Sequence, residues 1–132
     1  MTTDEIHIEV TEVNRPFWDG TEHHELRYQA CPSCGHRWLP ARTECPRCLA
    51  TTATWEPSDG TGTLVSWVTY RRAYHPAFEK DLPYTVGIIE LTEGPRLAAR
   101  LLGDPASFTL DQPMTVEFHQ RAGHTAPFFR AA

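Results

Sequence analysis

Several features that mark other protein classes are scarce or missing in this chain of 132 residues. No stretch approaches the run of about 20 apolar residues that a membrane span requires, and the opening segment MTTDEIHIEV lacks the basic and then apolar pattern of a signal peptide. Hydrophobic residues make up 40% of the chain and charged residues 22%, which excludes wholesale disorder. We therefore expect a folded, cytoplasmic protein with no membrane segment.

Lysine is almost absent, because Lys80 is the one lysine among twelve basic residues and the other eleven are arginines. The acidic residues outnumber them, and the formal net charge is −5. Phosphate contacts dominate nucleic-acid affinity, so an acidic chain is a poor general binder of nucleic acid. The charge therefore argues against a nucleic-acid partner, although a local cluster of arginines could still provide one.

The usual signatures of hydrolytic catalysis are also missing. The chain contains no Gly-x-Ser-x-Gly elbow and no His-Glu-x-x-His helix. Nucleophilic catalysis needs a nucleophile beside a base, and no cysteine is found outside one short stretch. A catalytic Ser–His pair that only the fold brings together remains an alternative. We expect a chain that is not catalytic by itself.

All four cysteines fall within CPSCGHRWLPARTECPRC, as two Cys-x-x-Cys pairs separated by ten residues. A redox pair needs one such motif beside a strand and a helix, whereas four thiolates close a tetrahedral site with Zn–S distances of about 2.3 Å. Iron and an unmetallated or redox use remain alternatives, but nothing in the chain suggests electron transfer. The spacing predicts a structural Zn²⁺ with no open coordination position, held by Cys31, Cys34, Cys45 and Cys48.

Three zones follow one another along the chain: an N-terminal arm at residues 1–27, a zinc ribbon at 28–56 and a β-rich unit at 57–132. In the arm, IHIEV alternates apolar and polar residues like an edge strand or an extended segment. NRPFWDGTEHHEL next predicts a short helix or a hairpin-like arm, in which Pro16 suits a first helical turn and Gly20 limits the length. Phe17 and Trp18 are its apolar anchor, which packs on the chain's own core or on a partner.

The third zone carries five segments with the composition and length of β-strands. EGP at Glu93–Pro95 predicts a tight turn that pairs the second segment with the third, and Gly87 suits a bend in its strand. Five strands in so short a segment predict a small closed barrel, because closure removes exposed edges. The predicted strands are Thr63–Tyr70, Pro83–Leu91, Arg96–Leu102, Pro113–Gln120 and the terminal FFRAA.

The order of these features resembles the DUF35 family, whose members join a short N-terminal helical arm, a rubredoxin-like zinc ribbon and an OB-fold barrel. The matching pieces are CPSCG, LPARTECPRC, the DGTGT that opens the barrel, LPY at Leu82–Tyr84 and IELTEGPRL at Ile89–Leu97. They span nearly the whole chain. The resemblance implies a mainly β protein with a five-stranded OB-fold barrel.

The resemblance also implies a function that composition does not show. Members of this family are similar to accessory subunits that work beside thiolase-superfamily enzymes on acyl-CoA thioesters. Some are fused or bound to a hydratase in steroid side-chain breakdown, where the partner is a thiolase-type aldolase. The resemblance thus implies a non-catalytic subunit with a thiolase-like partner, a hydratase-like partner in some assemblies, and a CoA thioester as ligand. The alternative is a module that binds single-stranded nucleic acid, since ribbons and barrels stack bases on aromatic rings.

Two candidate binding regions follow. The loop between the first two barrel strands is where OB-folds often bind ligands; arginines suit CoA phosphates, and an aromatic ring could stack on adenine. Its candidate residues are Arg71, Arg72, Tyr74, His75 and Phe78, and an ordinary loop that caps the barrel is the alternative. For the partner interface we expect Phe17, Trp18, Phe128 and Phe129. Neighbouring strand residues face opposite sides, so one of the last two should point outward, to be covered by a partner or by the ribbon.

Overall fold

The computed structural model of the chain describes residues 9–73, 76–121 and 123–132. Within these residues, one α-helix and eight strands make up a mainly β structure, as the sequence predicts. Part of the predicted IHIEV strand, with Ile6 and Ile8, lies outside the described residues. The candidate CoA-binding residues Tyr74 and His75 lie outside them as well. The elements are α1 (Arg15–Glu22), β1 (Arg27–Ala30), β2 (Arg37–Trp38), β3 (Thr54–Pro57), β4 (Thr61–Tyr70), β5 (Tyr84–Leu91), β6 (Arg96–Leu101), β7 (Pro113–Arg121) and β8 (His124–Ala131), with 3₁₀ turns at Pro76–Asp81 and Pro105–Ser107.

Helix α1 is short, and its limits follow from local residues. Pro16 lies in the first turn, where a missing N–H costs no hydrogen bond. After Gly20 the chain folds back, and the N–H of Glu25 donates to the Gly20 carbonyl at 2.8 Å. A Cβ on Gly20 would lie 2.6 Å from the Glu25 carbonyl oxygen, so the close return needs glycine. No helix among the described residues has the length and apolar character to cross a bilayer.

Strands β1, β2 and β3 form a small antiparallel sheet with β1 at its centre. Gln29 of β1 is buried at 4% exposure, and both halves of its amide are used. Its Nε2 donates to the Arg42 carbonyl at 3.0 Å, and its Oε1 accepts from the Arg42 N–H at 2.7 Å. These two bonds hold the loop between the cysteine pairs against the sheet, so the sheet and the loop form one unit.

The remaining five strands close into a barrel in the order β4-β5-β6-β8-β7, with β7 pairing back to β4. The predicted five-stranded barrel is therefore confirmed. Strands β5 and β6 form the predicted hairpin, whose turn contains Gly94 at φ +117°. The pairing of β6 with β8 is parallel. The buried residues of the barrel core are Leu26, Leu64, Ile89, Leu91, Ala99, Leu101, Phe108, Met114 and Phe129.

Gly87 lies where the barrel interior is tightly packed. A Cβ built on this residue would lie 2.7 Å from Leu101 Cδ1 and 3.0 Å from Leu64 Cδ1. Leu64 and Leu101 are both buried in the barrel core, so neither side chain has free space to move into. The close approach of these core side chains therefore favours glycine at this position.

The ribbon sheet is joined to the barrel by both polar and apolar contacts. The Glu93 carboxylate, in the β5–β6 turn, accepts hydrogen bonds from Ser58 Oγ at 2.8 Å and from the Asp59 N–H at 2.9 Å. The guanidinium of Arg37 in the ribbon donates to the Glu93 carbonyl at 3.3 Å. Leu39, which follows β2, packs against the barrel core. The two parts therefore have separate cores but a defined contact.

The C-terminal phenylalanines correct one expectation. Phe129 is fully buried in the barrel core, and Phe128 points to the other side, yet it is only 3% exposed. The guanidiniums of Arg100 and Arg121 lie over the Phe128 ring at 5.7 and 5.9 Å, and His119 packs edge-on at 5.2 Å. Strand alternation does turn Phe128 outward, but side chains of this chain cover it. Neither ring is available as a surface anchor.

Candidate metal centre and binding surfaces

The two cysteine pairs lie in turns with the same hydrogen-bonding pattern. In the first turn, the N–H of Cys31 donates to the His36 carbonyl at 2.8 Å, and Gly35 donates to the Cys31 carbonyl at 2.8 Å. In the second turn, the N–H of Cys45 donates to the Ala50 carbonyl at 2.9 Å, which is the equivalent of the bond from Cys31 to His36. Each turn presents two sulfur atoms to the same side because its backbone is closed in this way. The predicted cysteines are thus brought together by two equivalent loops.

The sulfur atoms of the four cysteines lie within 4.8 Å of one another. The Sγ atoms of Cys31 and Cys48 are 3.6 Å apart, as are those of Cys34 and Cys45. A tetrahedral site with Zn–S bonds of about 2.3 Å places its sulfurs about 3.8 Å apart. The cluster therefore has the size and the donor set of a four-sulfur metal site, and a tetrahedral Zn²⁺ fits it.

The thiols of this cluster do not share one protonation behaviour. A hydrogen bond from the backbone N–H of Cys34 lowers the pKa of Cys31 to about 6. A backbone hydrogen bond from Ala50 lowers the pKa of Cys48, but the sulfur of Cys31 and burial outweigh it and raise that pKa to about 12. Negative charge on one sulfur opposes ionisation of its neighbour. Holding four thiolates together therefore requires a cation at their centre.

The predicted CoA-binding residues are only partly brought together. Arg71 and Arg72 are exposed just after β4, whereas Tyr74 and His75 lie outside the described residues. Phe78 is half-buried, with its ring 5.6 Å from that of Tyr84. The structure thus leaves two arginines at the surface and uses the phenylalanine to pack the loop on the barrel.

Arg100 of β6 holds that loop in place. Its guanidinium lies 4.2 Å from the Tyr84 ring centroid and 5.0 Å from that of Phe78, and it pairs with Asp81 at 3.1 Å. The Arg100 side chain is only 14% exposed. Sequence reasoning missed this residue, because its partners lie in a distant loop and no motif marks an arginine within RLAAR.

A groove lies between α1, the segment Leu39–Ala41 that follows β2, and the barrel strands β6 and β8; it is called the groove below. Its volume is about 720 Å³. Phe17 packs against the barrel core, and its ring meets that of Trp18 edge-on at 5.0 Å. The lining residues include Phe17, Trp18, Leu39, Phe78, Ile88, Arg96, Ala98, Arg100, Arg121, His124, Ala126 and Phe128. The two predicted aromatic residues of the arm thus form one wall of a concave surface.

Family models match both parts of this architecture. Residues 18–54 match the ChsH2 rubredoxin-like zinc ribbon domain, and residues 55–119 match the ChsH2 C-terminal OB-fold domain. The chain is also 34% identical over 73 residues to a DUF35 domain-containing scaffold protein of Methanocaldococcus jannaschii, covering 54% of this chain and 51% of the relative. This chain belongs to the DUF35 family. The resemblance drawn from the sequence is therefore confirmed.

Two longer relatives of this DUF35 protein are named as hydratase subunits. It is 32% identical over 119 residues to a probable enoyl-CoA hydratase alpha subunit of Thermomonospora curvata, covering 88% of this chain and 37% of the relative. It is 31% identical over 105 residues to the 3-oxo-4,17-pregnadiene-20-carboxyl-CoA hydratase alpha subunit of Mycobacterium tuberculosis, covering 77% of this chain and 32% of the relative. The chain spans about a third of the length of both.

Two solved structures share the fold of this DUF35 protein. A chain of the Ltp2-ChsH2(DUF35) aldolase superposes with a TM-score of 0.84 at 28% identity, over 95% of this chain and 98% of that chain. A Sulfolobus solfataricus protein of unknown function from the DUF35 family superposes with a TM-score of 0.65 at 12% identity, over 92% and 86%. The second likeness shows the fold alone.

Proposed function

We propose that this chain is a non-catalytic, zinc-binding accessory subunit of a thiolase-superfamily enzyme of the thiolase or retro-aldolase type, acting on acyl-CoA thioesters. One observation carries the proposal: the match to a chain of the Ltp2-ChsH2(DUF35) aldolase covers 95% of this chain and 98% of that one. The relatives named as CoA hydratase subunits support CoA thioesters as the substrate class and a hydratase-like protein as a further partner. The pregnadiene-carboxyl-CoA enzyme among them favours steroid side-chain or related lipid degradation.

The metal centre supports a structural role for the proposed zinc. A four-sulfur site is closed, so the ion contributes folding energy to the ribbon and leaves no position for water or substrate. The buried residues of the ribbon cluster are Cys31, Trp38 and Cys45, with Ala50 and Ala53 packed against them. So small an apolar core needs the additional stabilisation that a bound metal supplies.

The accessory role is supported by how the described residues are used. All four cysteines are gathered in the metal cluster. The described ring hydrogen bonds of His23 and His119 go to the Asp19 carbonyl and to Glu117, and neither bond is to a serine, threonine or cysteine side chain. A retro-aldol reaction moves the proton of the β-hydroxyl to a base, breaks the Cα–Cβ bond and protonates the resulting enolate. In this proposal the groups that perform those steps belong to the thiolase-like partner.

In this proposal, α1 contacts the partner subunit, and the start of the β4–β5 loop binds CoA. Trp18 is partly exposed beside Phe17, and a partly exposed aromatic pair is a typical interface anchor. Arg71 and Arg72 are exposed and suit the CoA phosphates. Replacing both arginines by Gln should raise the dissociation constant for a CoA thioester by about tenfold or more in the complex. Unchanged affinity would remove this loop from the proposed site.

The proposal is tested by co-expressing the tagged chain with each thiolase-superfamily protein encoded in the same genome. We expect one of them to co-purify in a fixed ratio, and the complex to cleave or form a carbon–carbon bond in an acyl-CoA that the isolated chain leaves unchanged. Trp18→Ala should weaken co-purification, whereas Leu110→Ala, at a side chain 66% exposed and outside the groove, should not. Turnover by the isolated chain, or no partner of this class, would contradict the proposal.

The nucleic-acid alternative has its own readout. Fluorescence anisotropy with labelled single strands at low salt should show no saturable binding by this acidic chain. Sub-micromolar affinity that weakens steeply with salt would instead favour a single-strand-binding module.

A further inference from the structure

The groove has the shape of a small-molecule site. Its volume of about 720 Å³ lies within the range of roughly 300–1,000 Å³ that is typical of such sites. It is enclosed on three sides, by α1, by Leu39–Ala41 and by the barrel wall. Ala98 of β6 and Ala126 of β8 line it with single methyl groups, and Trp18 and Leu39 line it with larger apolar side chains. This combination leaves open space between apolar walls.

The charge along the groove is of one sign. Arg96, Arg100 and Arg121 line it, whereas none of the described lining residues is acidic, although the whole chain has a net charge of −5. Two of these arginines are already paired with carboxylates outside the lining. Arg96 pairs with Glu90 at 2.9 Å, and Arg100 pairs with Asp81 at 3.1 Å. The third arginine therefore decides the charge that a ligand meets.

Arg121 has no such partner among the residues that the structure describes. Its guanidinium lies 5.9 Å from the ring centroid of Phe128 in the groove wall, and no described carboxylate lies within ion-pair distance of it. A guanidinium that lies over a ring face keeps the N–H donors at its own edge, where they can bind an anion. The groove thus combines apolar walls with one uncompensated cation at the surface.

We propose that the groove binds an amphipathic carboxylate, with its apolar body against Trp18 and Leu39 and its carboxylate on Arg121. The apolar part of the ligand can be a linear chain or a fused ring system, because the groove offers apolar walls and a single unpaired cationic side chain among its described residues. The proposed ligand is a free acid, held without a thioester and without a partner chain. This inference therefore does not rest on the proposed function.

Calorimetric titration of the isolated, full-length, zinc-loaded chain tests the proposal. The probes are dodecanoate and cholate below their micelle concentrations, with the uncharged dodecanol as the comparison. We expect saturable one-to-one binding of at least one acid. Arg121→Gln should raise its dissociation constant by about tenfold or more, because the charge-assisted hydrogen bond is lost. Ala98→Trp should abolish binding, because an indole at this exposed strand position fills the groove.

Two matched variants control for charge and bulk. Arg130→Gln removes an exposed arginine from the strand that lines the groove, at a position outside the lining. Ala106→Trp places an indole at an exposed alanine in the second 3₁₀ turn. Both should bind the acid as the unmodified chain does. Dodecanol should bind more weakly than dodecanoate, and equally to the unmodified chain and to Arg121→Gln.

Three results would overturn the proposal: no saturable binding of either acid, binding that survives Ala98→Trp in a folded variant, or binding of the acyl-CoA thioester without the free acid. The third would assign the groove to the proposed CoA-dependent function. If the chain binds no acid but still co-purifies with a thiolase-superfamily partner, this inference is wrong and the proposed function is unaffected. If the chain binds the acid but has no such partner, the groove proposal holds and the proposed function is wrong.

Discussion

Replacing Cys45 by Ala should unfold the ribbon and leave the barrel folded. Cys45 is fully buried, and its Sγ lies 3.6 Å from that of Cys34. Structural zinc sites contribute about 10–16 kcal/mol in small zinc-binding peptides, which is as large as or larger than the whole stability of a typical domain, about 5–15 kcal/mol. The apolar cluster around the cysteines is otherwise essentially Trp38, so apolar burial there does not replace the contribution of the metal. Loss of one ligand should therefore remove both the metal and the ribbon sheet.

The barrel should keep a weaker transition, because its core is separate. The ribbon supplies that core with Leu39, which is partly buried against it. Full burial of a leucine side chain stabilises by about 1.5–3 kcal/mol, so exposing a partly buried one should cost roughly 1–2 kcal/mol. For a unit of this size the loss should lower the midpoint of barrel unfolding by roughly 4–16 °C.

Three measurements test this expectation together. Elemental analysis should give about one zinc per unmodified chain and none for Cys45→Ala. The tryptophan emission should shift to longer wavelength, since Trp38 is only 4% exposed in the folded ribbon. Calorimetry should still show the barrel transition. Ser33→Ala is the matched control, because it changes an exposed side chain between two ligands and keeps the backbone N–H.

Two outcomes would refute the reasoning. Stoichiometric zinc in Cys45→Ala would show that the cluster is not a four-sulfur site. Loss of the barrel transition together with the ribbon would show that the two cores unfold as one cooperative unit.

Other substitutions separate packing from backbone strain. Gly87→Ala should lower the free energy of unfolding by about 1–3 kcal/mol, because its Cβ would lie 2.7 Å from Leu101 Cδ1; unchanged denaturation midpoints would contradict this. Leu49→Gly should raise ribbon stability by about 0.5–1 kcal/mol, since Leu49 has φ +67° and is 64% exposed; faster zinc loss to a chelator would argue against it. Phe17→Ala should destabilise by about 2 kcal/mol and more than Trp18→Ala, because Phe17 contacts the barrel core; equal thermal shifts would refute that difference.

Features that depend on neighbouring residues could be predicted from the sequence. The two Cys-x-x-Cys turns close locally, so their spacing alone indicated four converging sulfurs, as the structure shows. The β5–β6 hairpin follows from two strand segments and the tight turn at Glu93–Pro95, again within one short stretch. Barrel closure was predictable for a physical reason, since five short strands leave exposed edges unless they close.

Features that depend on contacts between distant segments became visible only in the folded chain. The parallel pairing of β6 with β8 places Arg100 beside Phe128. The Arg100 guanidinium then covers the Phe128 ring, which strand alternation turns outward. The groove likewise joins α1, the segment after β2 and two barrel strands. Local periodicity assigns a residue to a face but does not say which remote side chain lies opposite that face, because this depends on strand order and register around the closed barrel.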